Sequence, residues 1–184
     1  MGNRLRKTLV IVGAVIGLFA TQAVPAQASV FPSRVYDANL RVVRDGGPCF
    51  RPDFNGFGAT IHAAPCDGAS QHWNFYMQTQ EDSRATGWYV ITWSVPGFSA
   101  CLLPNWDRAG SPLVLADNCS TLTGGHSFWW YFWPESNGDF ELVNNGNTSL
   151  VMDMDISSGN YGRLQEWTAN YWDNQKFFVT GGHT

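Results

Sequence analysis

The sequence carries one pattern three times, at a period of about fifty residues, and a chain built that way folds as repeated supersecondary units that close on one another. Cys49 and Cys101 lie 52 residues apart, and another 50 lead to Val151. Each anchor has a partner downstream: Cys66 after 17 residues, Cys119 after 18 and Ala169 after 18. The third unit thus has an apolar pair where the first two have cysteines. Ahead of the anchors run segments rich in β-branched and aromatic residues, Leu40 to Val43, Trp88 to Val95 and Phe140 to Val143. Each ends in a turn signal, namely Asp45-Gly46-Gly47-Pro48, Pro96-Gly97 and Asn144-Asn145-Gly146-Asn147.

After each second anchor comes a polar turn and then an aromatic run: Gln71 to Phe75, Phe128 to Phe132 and Gln175 to Val179. Strand alternation puts Trp73 with Phe75, Trp130 with Phe132, and Phe177 with Val179 on one face, where they serve as core. No segment has the period of an amphipathic helix, so the class is all-β. Three repeats, at about 37–86, 87–137 and 138–180, of four short strands each suggest a threefold barrel-like array. A propeller normally needs at least four blades.

Residues 1–28 read as an export signal. Arg4, Arg6 and Lys7 form a basic head, Leu9 to Ala20 an apolar stretch, and Ala26-Gln27-Ala28 a small-x-small cleavage site. About a dozen apolar residues fall short of the roughly 20 that a membrane span needs. Secretion of a single domain, residues 29–184, is therefore expected. Eight basic residues remain against fifteen acidic ones, a net charge of −7, with Lys176 the one lysine. That balance argues against nucleic acid or an anionic membrane as partner.

Export makes disulfides the default state of Cys49, Cys66, Cys101 and Cys119. Four cysteines allow three pairings, and the matched spacings favour Cys49–Cys66 and Cys101–Cys119. With no Cys-x-x-Cys pair, and no ligand spacing among His62, His72, His126 and His183, neither a metal nor another cofactor is expected.

Gln71-His72-Trp73 is similar to the Gln-x-Trp motif of ricin-B-type lectins, and the third repeat resembles that family's sugar-binding unit, in which Leu-Asp, Gln-x-Trp and Asn-Gln follow one another. The resemblance spans about residues 37 to 180. It implies a β-trefoil of three lobes, each with a potential shallow sugar pocket. In the third lobe Met152-Asp153, Gln165-Glu166-Trp167 and Asn174-Gln175 fill the family pattern. In the second, Leu103 takes the aspartate position, Leu115 and Asp117 replace the Gln and Trp, and Gly124-Gly125 interrupts the closing motif. The first has Arg51, His62 and Ala64, keeping only Gln71. Neither of those two is expected to hold sugar, unless Asp53 or Asp107 substitutes.

The residue types suit a pyranose, which offers vicinal hydroxyls and an apolar face of C–H groups. Asp153 can accept two hydroxyl hydrogen bonds, Trp167 can stack on the apolar face, and Asn174 supplies donor and acceptor together. Gln165 and Gln175 orient the aspartate and loops from behind, Gln175 being the most structural. Because Trp167 aligns with Asp117 and Ala64, it is expected to be exposed. The expected protein is a secreted, non-catalytic lectin for a galactose- or xylose-like unit of a glycan. One alternative is a protein-binding trefoil, such as a protease inhibitor or toxin-associated module, using the acidic face or the stripe Trp129, Tyr131 and Trp133, for which packing is the favoured reading. Another is a small glycosidase using Asp153 and Asp155, roughly 6.6 Å apart along a strand, but no nucleophile elbow or triad order supports catalysis.

Overall fold

The computed structural model describes residues 31–80, 87–117, 119 and 128–184. The segment read as an export signal lies outside the described residues, as do Gly124-Gly125 and His126. Twelve strands follow in order: β1 Arg34–Val42, β2 Cys49–Pro52, β3 Ile61–Ala64, β4 Trp73–Gln80, β5 Gly87–Val95, β6 Phe98–Pro104, β7 Leu113–Ala116, β8 Trp129–Pro134, β9 Phe140–Asn144, β10 Leu150–Met154, β11 Leu164–Thr168 and β12 Phe177–His183. Helical structure among the described residues is confined to three short 3-10 turns, so no described helix is long and apolar enough to cross a membrane.

Six strands close a ring. β1 pairs with β4, β4 with β5, β5 with β8, β8 with β9, β9 with β12, and β12 returns to β1, all antiparallel. Closure leaves none of these strands with a free edge. The others form the hairpins β2–β3, β6–β7 and β10–β11. Each hangs on the first strand of its own repeat, through Arg41 opposite Cys49, Thr92 opposite Cys101 and Val143 opposite Val151. At the cap the hairpins meet pairwise, Thr60 with Val114, Pro112 with Gln165 and His62 with Arg163. Four strands per repeat, arranged alike three times, make the fold a β-trefoil.

Alternation along the ring strands fills the barrel. Trp73, Phe75, Trp130, Phe132 and Phe177 are all buried, and Val179 packs against them. Trp73, Trp130 and Phe177 occupy equivalent positions, and each indole solves its polar atom in the same way: Trp73 Nε1 donates to the Phe50 carbonyl at 2.7 Å, and Trp130 Nε1 to the Leu102 carbonyl at 3.0 Å. A buried N–H without such an acceptor would be costly. The third repeat uses Phe177, which has no N–H to satisfy.

Both local bridges form, Cys49–Cys66 and Cys101–Cys119, closing loops of 17 and 18 residues. Two disulfides fit an oxidising compartment. The one element that starts well before its expected position is β1. It begins at Arg34 rather than Leu40, crossing a register shift between Val35 and Ala38 where Asp37 takes φ 51°. Ser33, Asp37 and Asn39 do not read as strand, and pairing with both β4 and β12 overrides that local preference.

Trp73→Phe should destabilise the protein by about 2 kcal/mol, since it strands the Phe50 carbonyl in the core. For a chain of this size that is a fall in Tm of roughly 4–8 °C, measurable by thermal denaturation. An unchanged Tm would contradict the role given to this hydrogen bond.

Candidate functional site

Alternation along β10 sends Met152 and Met154 into the core and leaves Val151, Asp153 and Asp155 on the outer face. Opposite them on β11, Gln165 pairs with Asp153 and Trp167 with Val151. The five residues expected at the site are therefore assembled by one hairpin and the 3-10 turn Asp173–Gln175 that follows it.

Asp153 is the hub. Its Oδ1 accepts from Asn174 Nδ2 at 2.7 Å and Gln175 Nε2 at 3.0 Å, and its Oδ2 accepts from Gln165 Nε2 at 2.9 Å. Three amides thus occupy most of the acceptor capacity of the carboxylate, leaving room on Oδ2 for about one further hydroxyl rather than the two expected. Asn174 Nδ2 also donates to the Met154 carbonyl at 3.2 Å. Two acceptors around that nitrogen fix the amide orientation and leave Asn174 Oδ1 buried with no partner among the described residues. An unpartnered buried acceptor is costly by roughly 1–3 kcal/mol.

These groups wall a cleft of about 550 Å³, lined among others by Asp153, Gln165, Trp167, Asn174, Asn170 and Trp172. Trp167 is 44% exposed at its rim. Gln175 is fully buried and does not line the cleft. It donates to the Thr168 carbonyl and accepts from the Asn170 N–H, bracing the connecting loop as expected of the most structural member. Asp155 is held separately, by Arg163 at 3.3 Å and by the Ser157 N–H that it caps.

Strand register identifies the equivalents in the other lobes. Arg51 and Leu103 replace Asp153, and His62 and Val114 replace Gln165. Trp167 corresponds to Ala64 and Ala116. The second-lobe positions thus fall one residue earlier than the cysteine alignment indicates, because one extra residue separates the end of β7 from Cys119. Gln71, the survivor in the first lobe, is exposed, since Arg51 offers no carboxylate to draw it in. Asp53 is engaged by Thr60 Oγ1 and lies 3.6 Å from His62.

Of the aromatic run, Phe128, Trp130 and Phe132 are buried, Trp129 packs against the cluster around Val90 and Cys101, and Tyr131 lies 5.3 Å from Trp88. Packing therefore accounts for Trp129 and Tyr131, whereas Trp133 is 57% exposed. One site feature escaped the sequence reading. Tyr171 and Trp172 are both exposed, and Trp172 forms part of the cleft wall. Two consecutive aromatics in a polar turn cannot both enter a core, and that was the available signal.

No protein-family model matches the sequence, and no curated protein matches it significantly. Solved structures do. A designed 3-fold symmetric protein, ThreeFoil, superposes with a TM-score of 0.61 at 16% identity, over 82% of this chain and 99% of that one. 1,3Gal43A, an exo-β-1,3-galactanase from Clostridium thermocellum, gives 0.59 at 19% identity over 79% of this chain, and a mosquitocidal holotoxin 0.56 at 13% over 84%. The chain spans only 30% and 17% of those two proteins' lengths. At these identities the likeness establishes the fold.

Electrostatics separate two of the hairpin's buried acids, Asp153 and Glu166. Burial pushes the Asp153 carboxyl up to about 6; hydrogen bonds from Gln165 and Gln175 oppose the shift, and the charge of Asp155 adds to it. Glu166, the middle residue of Gln-x-Trp, points to the opposite face beside Met152, where the other repeats have Ala63 and Leu115. It is fully buried with both oxygens unpartnered among the described residues, and burial, helped by Asp107, pushes it up to about 8. A carboxyl raised in the folded state binds its proton more tightly there, so its contribution is greatest at low pH and declines as pH rises through the folded value. Glu166→Gln should therefore stabilise the protein relative to the parent by an amount that is small near pH 4.5 and grows to a few kcal/mol by pH 8.5. Paired thermal melts across that range provide the check, and a pH-independent difference would contradict the burial of an uncompensated acid.

Proposed function

We propose that the protein is a secreted, non-catalytic carbohydrate-binding protein of the ricin-B type, with one competent sugar seat in its third repeat. The observation that carries this reading is the buried Asp153 hub set beside an exposed indole. A carboxylate held rigid by three amides, next to an unpartnered amide oxygen, presents two fixed acceptors to neighbouring hydroxyls. Trp167 supplies a flat surface for the apolar face of the ring. The remaining acceptor on Asp153 Oδ2 takes one hydroxyl proton and Asn174 Oδ1 an adjacent one. Preorganisation lowers the entropy lost on binding.

A single shallow seat of this kind has a monovalent Kd of about 0.1–1 mM, or roughly 4–5.5 kcal/mol, so avidity would require several copies on one partner. Galactose- and xylose-like units are the proposed ligands. The likeness to part of an exo-β-1,3-galactanase puts β-1,3-galactan beside xylan among the first polymers to test. The engagement of Asp153 by amides and of Asp155 by Arg163 supports binding over hydrolysis, and no release of reducing sugar is expected.

Trp167→Ala should abolish retention on immobilised galactose or xylan while leaving Tm unchanged, because the ring stands at the rim. Asp153→Ala should abolish retention and also lower Tm, because it orphans three amide donors. Affinity chromatography with parallel melts tests both, and retention of both variants alongside the parent would defeat the assignment. Binding to an ionised Asp153 should also weaken as pH falls below about 6, the value at which the buried carboxyl takes up its proton.

A further inference from the structure

Beyond the rim formed by Trp172 lies a second cleft, of about 460 Å³, lined by Val43, Arg44, Asp45, Tyr171, Trp172 and Asp173. Trp172 borders both clefts, and each falls in the size range of a small-molecule site. The second draws on two repeats, since Val43 to Asp45 belong to the turn between β1 and β2. We propose that the ligand is an oligosaccharide, with one unit held at Asp153 and Trp167 and the next seated between Trp172 and Tyr171 on one side and the Arg44–Asp45 turn on the other. This inference rests on the sugar-binding reading of the first cleft and names the ligand class of the combined groove.

Three observations support it. First, the aromatics are presented, not tucked away: Tyr171 is 70% and Trp172 59% exposed. Second, the loop that presents them is built on the Asp153 hub. Trp172 N–H donates to Asn170 Oδ1, Asn170 N–H donates to Gln175 Oε1, Gln175 N–H donates to the Trp172 carbonyl, and Gln175 Nε2 reaches Asp153. Ordering of the first seat therefore orders the second. Third, Tyr171 holds φ 62°, a left-handed conformation that is unfavourable for a bulky residue and that glycine would adopt freely.

The polar side of the second cleft suits hydroxyls. Arg44 Nε is buried with no hydrogen-bond partner among the described residues and lies 3.7 Å from Asp45 Oδ2. The Tyr161 hydroxyl donates to Asp45 and anchors that turn to the third repeat. A carboxylate and N–H donors beside an aromatic ring repeat the chemistry of the first seat.

The test is calorimetric titration of the intact protein with galactose, xylose, β-1,3-galactobiose and xylobiose, together with Tyr171→Gly and Arg44→Ala. Tyr171→Gly removes the ring while relieving its backbone, so its Tm should be at least that of the parent. In the parent, the disaccharide of the preferred sugar should bind at least about 10-fold more tightly than the monosaccharide. Each variant should lose that gain and keep the parent's monosaccharide affinity. Equal affinity for monosaccharide and disaccharide overturns the second seat and leaves the first standing, as does an equal loss for both ligands in the variants. Failure of all four sugars to bind overturns both readings.

Discussion

A single buried carboxylate organises the outer face of the third repeat. Asp153 joins three stretches of chain, β10, β11 and the 3-10 turn before β12, through one amide from β11 and two from the turn. Without it, Gln165, Asn174 and Gln175 would each bury an unpaired N–H, and Gln175 would hold the loop carrying Tyr171 and Trp172 through its bonds to Thr168 and Asn170 alone. Burial of the acid is itself unfavourable, as its upward pKa shift records. Charge-assisted hydrogen bonds, about twice as strong as neutral ones, offset part of that cost. The result is a polar cluster kept rigid at the surface of an otherwise apolar barrel.

The same scaffold is secured in two ways. In the first and second repeats a disulfide ties the hairpin to the following loop, each contributing about 3 kcal/mol through the loop entropy it removes from the unfolded chain. In the third, Val151 takes the position of Cys49 and Cys101, and the amides around Asp153 take over the task of fixing the loop. A covalent bridge occupies the outer face of its hairpin, whereas the hub leaves that face open as a cleft. Covalent bridging and an open polar cleft are thus divided among lobes of identical topology, and the geometry that makes the lobes interchangeable is the closed ring of six strands beneath them.

Much of this was legible in the chain. The fifty-residue period, the cysteine spacing and the alternation through Trp73, Trp130 and Phe177 led to three four-stranded units with two local bridges, because core periodicity and loop closure are local properties. Trp167 is exposed as expected, although strand register replaces Asp117, one of the two equivalents behind that expectation, with Ala116. Where the reading slipped, the cause was equally physical. Aligning on Cys119 misplaced the second lobe's equivalents by one residue, since strand register is set by pairing opposite Cys101 and not by the loop that follows. The early start of β1 depends on two neighbouring strands distant in sequence, and the saturation of Asp153 by three amides depends on side-chain geometry that no spacing reveals. Trp172 was missed because the first repeat's corresponding 3-10 turn, Gly68–Ser70, carries no aromatic residue, so the repeat pattern gave no sign of one in the third.

The central proposal is that recognition centres on the Asp153 hub and the aromatics of the third repeat, and side-chain NMR of the tryptophan indoles tests it most directly. The chain has nine tryptophans distributed over all three lobes. On titration with a galactan or xylan fragment, the indole N–H signals of Trp167 and Trp172 should shift saturably together, while those of Trp73 and Trp130, bonded to carbonyls in the core, stay in place. Saturable shifts centred on Trp106 or Trp133, with Trp167 unmoved, would contradict it.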